Sequence, residues 1–312
     1  MSRAAGLLLG ALLDRVVPDP RRGHPVALFG SLAQALERRA HASSRLRGAA
    51  AVGLLVGGAG LIGVVGERCS RGRPLLGTMV TAGATWVVLG GASLEREARA
   101  VAELLEGDDL PGARQRLTHL VGRTTSELSE GEVSRAVLES LAENTSDAVV
   151  APLVWGAVAG VPGLLAYRAA NTLDAMWGHR SARYEQFGWA AARLDDVLNL
   201  PGSRLTALLA VGLGPDHRGA WQAWRRDAPG HPSPNAGPVE AAFAGALGVR
   251  LGGVTVYGSR VEHRPLLGSG RAPAVADVRQ MVALARRVDV GAVLLSAAVD
   301  LARAPRRGAP NL

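Results

Sequence analysis

The stretch ENTSDAVVAPLVWGAVAGVPGLLAYRAANTLDAM (143–176) carries the same polar tetrad, Asn-Thr-x-Asp, at both ends of an apolar run. The tetrads begin at Asn144 and Asn171, and the run between them (148–167) is long enough to cross a membrane as one helix. Its middle, GVPG (160–163), has turn residues, and proline suits the first turn of a new helix. We therefore expect a re-entrant hairpin of two short helices that brings both tetrads to one surface, with a straight span as the alternative.

The composition favours a membrane protein. Of the 312 residues, 48% are hydrophobic, 20% are charged and 40 are glycine, which is more apolar than a typical soluble domain. Uncharged runs at 48–66 and 74–94 each approach the length of about 20 residues that a transmembrane helix needs. Their glycines would permit close packing between membrane helices. We expect both runs to cross the bilayer, and two buried helices of a soluble protein are the alternative.

The rest of the chain predicts helices of other kinds. Residues 95–147 have the apolar spacing of amphipathic soluble helices, and Ser129 with Glu132 forms a capping box. The other predicted segments are a motif region at 168–204 and short apolar helices at 205–214 and 290–299. The predicted fold is all-α: one membrane-embedded domain (1–312), built as a multi-pass helical bundle with cytosolic helical loops.

Charge indicates the orientation and excludes some functions. Four arginines precede the first span, at 38, 39, 45 and 47, and three follow it, at 68, 71 and 73, so the positive-inside rule gives a slight bias that places the first side and residues 95–147 in the cytoplasm. We expect an inner or plasma membrane protein whose site faces the cytoplasm. The net charge of +8 is scattered and lacks interleaved aromatics, so we expect no nucleic-acid partner. The single Cys69 excludes an internal disulfide.

The tetrads supply amide, hydroxyl and carboxylate oxygens, the donors that suit Mg²⁺ and the phosphates it accompanies. Helix capping by Asn and Thr is the alternative for each copy. Downstream, Asp195 and Asp196 are adjacent, and Asn199 shares a helix face with them. Neighbouring carboxylates repel each other unless a cation lies between them. A Mg²⁺-bound nucleotide is one such partner, and Arg193 or Arg204 is the structural alternative.

Several of these motifs together resemble one known family. They are LLLGALLDRVVPDPRRGHPVALFG (7–30), ENTSDAVVAPL (143–153), AYRAANTLDAMWGHRSARYEQFGWAAARLDDVLNLPGSRLTALL (166–209) and SPNAGPVEAAFAGALGVRLGG (233–253). The sequence is similar to the CobD/CbiB family of cobalamin biosynthesis proteins, the adenosylcobinamide-phosphate synthases. It departs from the usual pattern at Ala11, where an acidic residue is typical, and at Gly237, which runs directly into proline.

The resemblance implies a multi-pass membrane enzyme that joins aminopropanol, or its O-phosphate, to a propionate carboxylate of adenosylcobyric acid. A carboxylate does not react with an amine unaided, so the resemblance and the chemistry together imply ATP as cosubstrate, an acyl phosphate and Mg²⁺. The implied partners are the corrinoid, the aminopropanol compound, membrane lipid and other membrane enzymes of cobalamin assembly.

The resemblance also marks candidate site residues. The expected catalytic residues are Glu143, Asp147, Asp174, Asp195 and Asp196, with the four aspartates as Mg²⁺ ligands and Glu143 or Glu240 accepting the amine proton. Residues expected to bind the nucleotide or orient the metal are Asn144, Thr145, Asn171, Thr172, Asn199, Arg183 and Arg193. Residues expected to bind substrate are Arg21, Arg22, His24, Arg180, Asn235 and Glu240.

Two other functions compete with this reading. Ala182-Arg183, Gly188 and Asp195 echo the Mg²⁺ motif of CDP-alcohol phosphotransferases, but the preceding Asp-Gly pair is missing and the last aspartates are adjacent. A non-catalytic corrinoid-binding or transport component would be expected to show inverted repeats in both halves, and the only duplication found is the tetrad.

Overall fold

The computed structural model describes residues 2–18, 20, 23–179, 181–258 and 260–303, and most of these are helical. The helices are α1 (Ser2–Val16), α2 (Pro25–Ala40), α3 (Arg45–Cys69), α4 (Pro74–Val88), α5 (Gly91–Glu106), α6 (Leu110–Leu117), α7 (Glu130–Thr145), α8 (Ala151–Trp177), α9 (Trp189–Leu198), α10 (Leu200–Leu213), α11 (His217–Asp227), α12 (Ala236–Leu247) and α13 (Val275–Arg303). A π-helical turn, Ser146–Val150, joins α7 to α8, and a 3-10 turn follows α11 at Ala228–Gly230.

The all-α prediction is wrong at one place, where two strands form an antiparallel ribbon. The strands are β1 (Leu251–Tyr257) and β2 (Arg260–Leu267). Val254, Thr255 and Val256 are β-branched, so this segment prefers extended backbone. A two-stranded ribbon is marginal by itself. Here it is fixed to α7 by Arg135, whose guanidinium donates to the Val254 carbonyl at 2.8 Å and also to the Gly252 carbonyl.

The apolar run between the tetrads reverses direction inside GVPG. Gly160 has φ 70° and ψ −150°, a non-helical conformation that divides α8 into a first limb (151–159) and a second limb (161–177). The limbs then lie side by side: a Cβ added to Gly163 would be 2.3 Å from the Trp155 carbonyl oxygen. Pro162 falls in the first turn of the second limb, as the sequence predicts.

In the described part of the chain, three helical stretches are long and apolar enough to cross a membrane: Arg45–Cys69, Pro74–Glu106 and Glu130–Trp177. The second is interrupted at Leu89, whose backbone is extended, and Gly90 then donates to the Ala148 carbonyl at 3.2 Å. The uncharged run 74–94 is therefore continuous helix only to the end of α4. The third stretch contains the reversal at Gly160.

Large apolar side chains point outward from the long helices. Leu61 and Ile62 on α3 and Met79 on α4 are each more than 60% exposed. Such side chains are costly in water and favourable in lipid, so the outer surface of these helices suits a bilayer.

The interior holds two apolar clusters. The larger combines α5, α7, the first limb of α8, α12 and α13. The smaller joins α2, α3 and the second limb of α8 around Trp177 and Phe187, whose ring centroids are 5.1 Å apart. The predicted capping box of Ser129 and Glu132 is confirmed at the start of α7. The short apolar segments 205–214 and 290–299 fall within the longer helices α10 and α13, except for Gly214, which follows α10 in an extended conformation.

Candidate active site

Ser146 and Asp147 of the first tetrad and Asp174 of the second line one small pocket of about 80 Å³, and the other tetrad residues lie outside its lining. Its acidic residues are Glu143, Asp147, Asp174, Asp195 and Asp196, and its other polar residues are Ser146, Asn199, Ser233 and Asn235. In a straight helix, Asp147 and Asp174 would be about 40 Å apart. The reversal at Gly160 is therefore the feature that brings the two tetrads together.

The first tetrad lies inside a continuous helix. The Asn144 amide donates to the Ser140 carbonyl at 2.9 Å, and the Thr145 hydroxyl donates to the Leu141 carbonyl at 2.7 Å. These bonds run back one turn and cap no helix terminus, which disfavours the capping alternative for this copy. The π turn that follows contains Asp147, and π turns occur frequently at functional sites.

Two asparagines connect the aspartates across helices. Asn199, the residue that follows α9, donates its amide to Asp147 in a short hydrogen bond, and its carbonyl oxygen accepts from the Ser146 hydroxyl at 3.3 Å. Asn171 in the second tetrad donates to Asp195 at 3.3 Å. These neutral donors orient the carboxylates without neutralising them. Thr172 bonds to the Arg168 carbonyl at 2.7 Å, within its own helix.

The pocket has an excess of negative charge. None of its described lining residues is basic. Asp196 forms an ion pair with Arg193 at 3.7 Å, and the Arg193 side chain is 69% exposed, so this pair is weak. Burial, followed by the negative charge of Asp174, raises the pKa of the Asp195 carboxyl to about 7. A cation bound here would relieve this repulsion.

The donor set fits Mg²⁺, although the protein does not supply a complete coordination shell. In the described residues, no three His, Cys, Asp or Glu side chains are arranged to hold a metal ion. Mg²⁺ normally takes one or two carboxylates and completes its shell with water and substrate phosphate oxygens. The four aspartates are therefore compatible with Mg²⁺, and their assignment as ligands stays a prediction.

The Ser-Pro-Asn-Ala-Gly segment closes one wall of the pocket. Asn235 donates to the Asp196 carbonyl at 2.8 Å and accepts from the Ser203 hydroxyl at 2.9 Å and from Arg204 at 3.0 Å. Arg204 thus binds Asn235 rather than the paired aspartates. Sequence reasoning missed Ser146 and Ser233 as lining residues, although both lie within the recognised motifs.

Arg183 lies at a different polar cluster. Its guanidinium donates to Glu37 at 2.8 Å, and the same carboxylate accepts from the Tyr184 hydroxyl at 2.9 Å and from the Trp177 indole at 3.1 Å. Burial acts to raise the pKa of Glu37, but these hydrogen bonds, that of Arg183 first, hold it below its ordinary value. The Ala-Arg element of the phosphotransferase alternative therefore lies outside the pocket lining.

Three predicted substrate residues lie outside the described residues: Arg21, Arg22 and Arg180. His24 is described and precedes α2, where its Nδ1 accepts from the Val26 amide at 3.3 Å. Glu240 is 1% exposed and does not line the pocket, and both of its carboxylate oxygens lack a hydrogen-bond partner among the described residues. Burial raises the pKa of Glu240 well above its ordinary value.

Comparisons with known proteins cover nearly the whole chain. The family model described as CobD/Cbib protein matches residues 7–285. Cobalamin biosynthesis protein CobD of Mycobacterium tuberculosis is 53% identical over 309 residues, which cover 97% of this chain and 98% of that protein. The proteins of the same name from Chromobacterium violaceum (45% identical, 99% of both chains) and Rhodobacter capsulatus (44% identical, 95% of this chain and 96% of that protein) are also similar. No solved structure matches significantly. This chain belongs to the CobD/CbiB family.

Proposed function

We propose that this protein is a biosynthetic enzyme of the cobalamin pathway that forms an amide between adenosylcobyric acid and aminopropanol or its O-phosphate. The names of its relatives support a role in the pathway. The observation that supports enzymatic chemistry is the convergence of Asp147, Asp174, Asp195 and Asp196 in one pocket. Asp195 is buried and its pKa is raised, and a carboxyl perturbed in this way is typical of functional sites.

In the proposed reaction, ATP activates the propionate. The carboxylate oxygen attacks the γ-phosphorus, ADP leaves, and an acyl phosphate forms. The amine nitrogen then attacks the carbonyl carbon, inorganic phosphate leaves, and the nitrogen loses a proton to a base. The sum is one amide, ADP and phosphate. Bound Mg²⁺ would neutralise phosphate charge and make ADP a better leaving group.

The pocket suggests a role for each group. The four aspartates would hold Mg²⁺, and Asn171 and Asn199 keep two of them oriented. Glu143 is exposed at the pocket, whereas Glu240 is buried, so Glu143 is the better placed acceptor of the amine proton. A pocket of about 80 Å³ is too small for a nucleotide or a corrin. Both would therefore lie at its mouth and insert only their reacting groups.

We further propose that the protein crosses the cell membrane several times with the pocket on the cytoplasmic side, where ATP is available. The apolar outward surfaces of α3 and α4 and the arginines at the end of α2 and the start of α3 support this placement. The limbs of α8 would then enter the membrane and return to the same side.

The test is a product assay. Membranes containing the protein receive adenosylcobyric acid, aminopropanol or its phosphate, and MgATP, and mass spectrometry quantifies the amide and ADP. We expect both products in equal amounts. The Asp174→Asn variant should still bind the corrinoid but lose turnover, whereas Glu127→Gln, an exposed carboxylate in the loop before α7, should behave as wild type. Absence of amide with either amine would refute the proposal, and CMP release from a CDP-alcohol would favour the phosphotransferase.

A further inference from the structure

A second cavity, of about 490 Å³, lies at the opposite end of the bundle from the acidic pocket. The end of the bundle that holds the acidic pocket is called the near end. There α3 begins with Arg45, whose guanidinium lies 5.3 Å from the ring centroid of Trp189, the first residue of α9. The 25 residues of α3 extend about 37 Å from there. The cavity is at the far end, and its lining residues include Arg3, Glu67, Ser70, Arg71, Arg73 and Thr81.

Two lining residues of this cavity, Glu67 and Arg3, also stabilise the reversal in α8. Glu67 accepts from the Val161 amide at 3.0 Å, which caps the second limb, and from Arg3 at 3.3 Å. Arg3 is also within 3.8 Å of Asp300 on α13. The only carboxylate in the cavity lining is therefore already paired.

Two other arginines of the lining have no such partner. Arg71 and Arg73 flank Gly72, whose φ of 74° makes the tight turn between α3 and α4. Both are exposed, and neither forms an ion pair with any described residue. The cavity thus offers two guanidiniums to an anion, and guanidinium is suited to bidentate contacts with phosphate oxygens.

The helices α3 and α4, which contribute to the cavity lining, also carry exposed apolar side chains. Leu75 and Met79 on α4 are 81% and 68% exposed, and Ile62 on α3 is 68% exposed. A free phosphate ion would gain nothing from these apolar side chains. A lipid would place its phosphate on the arginines and its acyl chains along the exposed side chains.

From these contacts we infer that the cavity binds the anionic phosphate headgroup of a membrane lipid. This inference rests on the membrane placement proposed above, not on the amide-forming reaction. Arg3 and Glu67 line the cavity, and Glu67 also accepts the hydrogen bond from the Val161 amide that caps the second limb. A lipid bound in the cavity therefore stabilises the reversal that brings the two tetrads together.

The test uses the full chain purified in neutral detergent. The thermal unfolding midpoint is measured by tryptophan fluorescence after addition of phosphatidylglycerol, phosphatidylcholine or inorganic phosphate. We expect phosphatidylglycerol to raise the midpoint by several degrees more than phosphatidylcholine does, because binding to the native state alone stabilises it. Arg71→Gln with Arg73→Gln should remove most of this difference.

The matched control is Arg38→Gln with Arg39→Gln, which removes the same charge from two exposed arginines at the near end of the bundle. This variant should respond to phosphatidylglycerol as wild type does. An equal response to both lipids, an undiminished response of the Arg71/Arg73 variant, or full stabilisation by inorganic phosphate alone would each overturn the inference. None of these outcomes depends on whether the amide forms, so the two proposals fail separately.

Discussion

At the scale of single residues, the acidic pocket combines four aspartates with neutral amide partners, and the proposed Mg²⁺ would relieve the repulsion between them. Asp195 is the most informative position because it is 8% exposed and bonds to Asn171. Asp195→Asn keeps the volume and removes one charge. We expect turnover to fall by about 100-fold and the half-saturating Mg²⁺ concentration to rise, because a ligand is lost. Steady-state rates measured across a Mg²⁺ titration check this, and activity within about threefold of wild type at all Mg²⁺ concentrations would contradict it.

A second carboxylate has a purely structural role. Asp277 near the start of α13 has a fully buried side chain that accepts two hydrogen bonds from Arg271, at 2.7 and 2.6 Å, and one from the Ala274 amide at 2.8 Å. Burial acts to raise the pKa of Asp277, but these bonds outweigh it and lower the pKa. The stabilisation is therefore fully present above the unfolded-state pKa of about 3.9 and is lost as the pH falls through the lower native value.

We accordingly expect Asp277→Asn to cost about 1–3 kcal/mol of stability at neutral pH and little once the native carboxyl is protonated. The measurement is the unfolding midpoint in detergent from pH 7 down to the acid limit of the wild type. Glu127→Gln, at an exposed carboxylate in the same protein, should leave the midpoint unchanged. A cost for Asp277→Asn that is constant with pH would exclude a charge-dependent role.

At the scale of elements, the reversal in α8 depends on one glycine. A Cβ on Gly160 would lie 2.1 Å from the Glu67 carboxylate and 2.5 Å from the Arg3 guanidinium, and φ 70° is unfavourable for any other residue. The two side chains can move aside, but the backbone strain of about 1–3 kcal/mol remains. We expect Gly160→Ala to lower stability and to abolish turnover, because the limbs no longer bring Asp147 and Asp174 together.

The matched control for Gly160→Ala is Gly57→Ala on α3, where an added Cβ meets nothing within 4 Å. This variant should keep wild-type turnover. Unfolding midpoints and amide formation, measured for both variants, distinguish the two positions. Wild-type activity of Gly160→Ala would show that the reversal is not needed to assemble the pocket.

The reversal in α8 and the start of α7 could both be predicted from local sequence. GVPG indicated a reversal because glycine and proline have strong backbone preferences. The capping box before α7 is equally local. The ribbon at 251–267 was missed because its glycines and arginines interrupt the alternation of a strand, and it depends on Arg135, more than 100 residues away. The pairing of Arg183 with Glu37 was also missed, since neither sequence position indicates the other.

At the scale of the whole molecule, the two ends of the bundle differ in charge and chemistry. Carboxylates gather in the near-end pocket, whereas the far-end cavity carries Arg71 and Arg73 and lies close to Cys69, the last residue of α3. If the bundle crosses the membrane, Cys69 faces the outside, and the loop that contains Glu127 faces the cytoplasm together with the tetrads.

The single cysteine makes this placement testable. Cys69 is free and exposed, so a membrane-impermeant maleimide should label it in intact spheroplasts. In a Cys69→Ser background, Glu127→Cys should be labelled only in inside-out vesicles, because the reagent cannot cross the bilayer. Mass spectrometry of the labelled protein measures both. Labelling of the two positions from the same side would mean that α3 does not cross the membrane. The acidic pocket and the arginine cavity would then face the same solution, and the far-end lipid site would lose its physical basis.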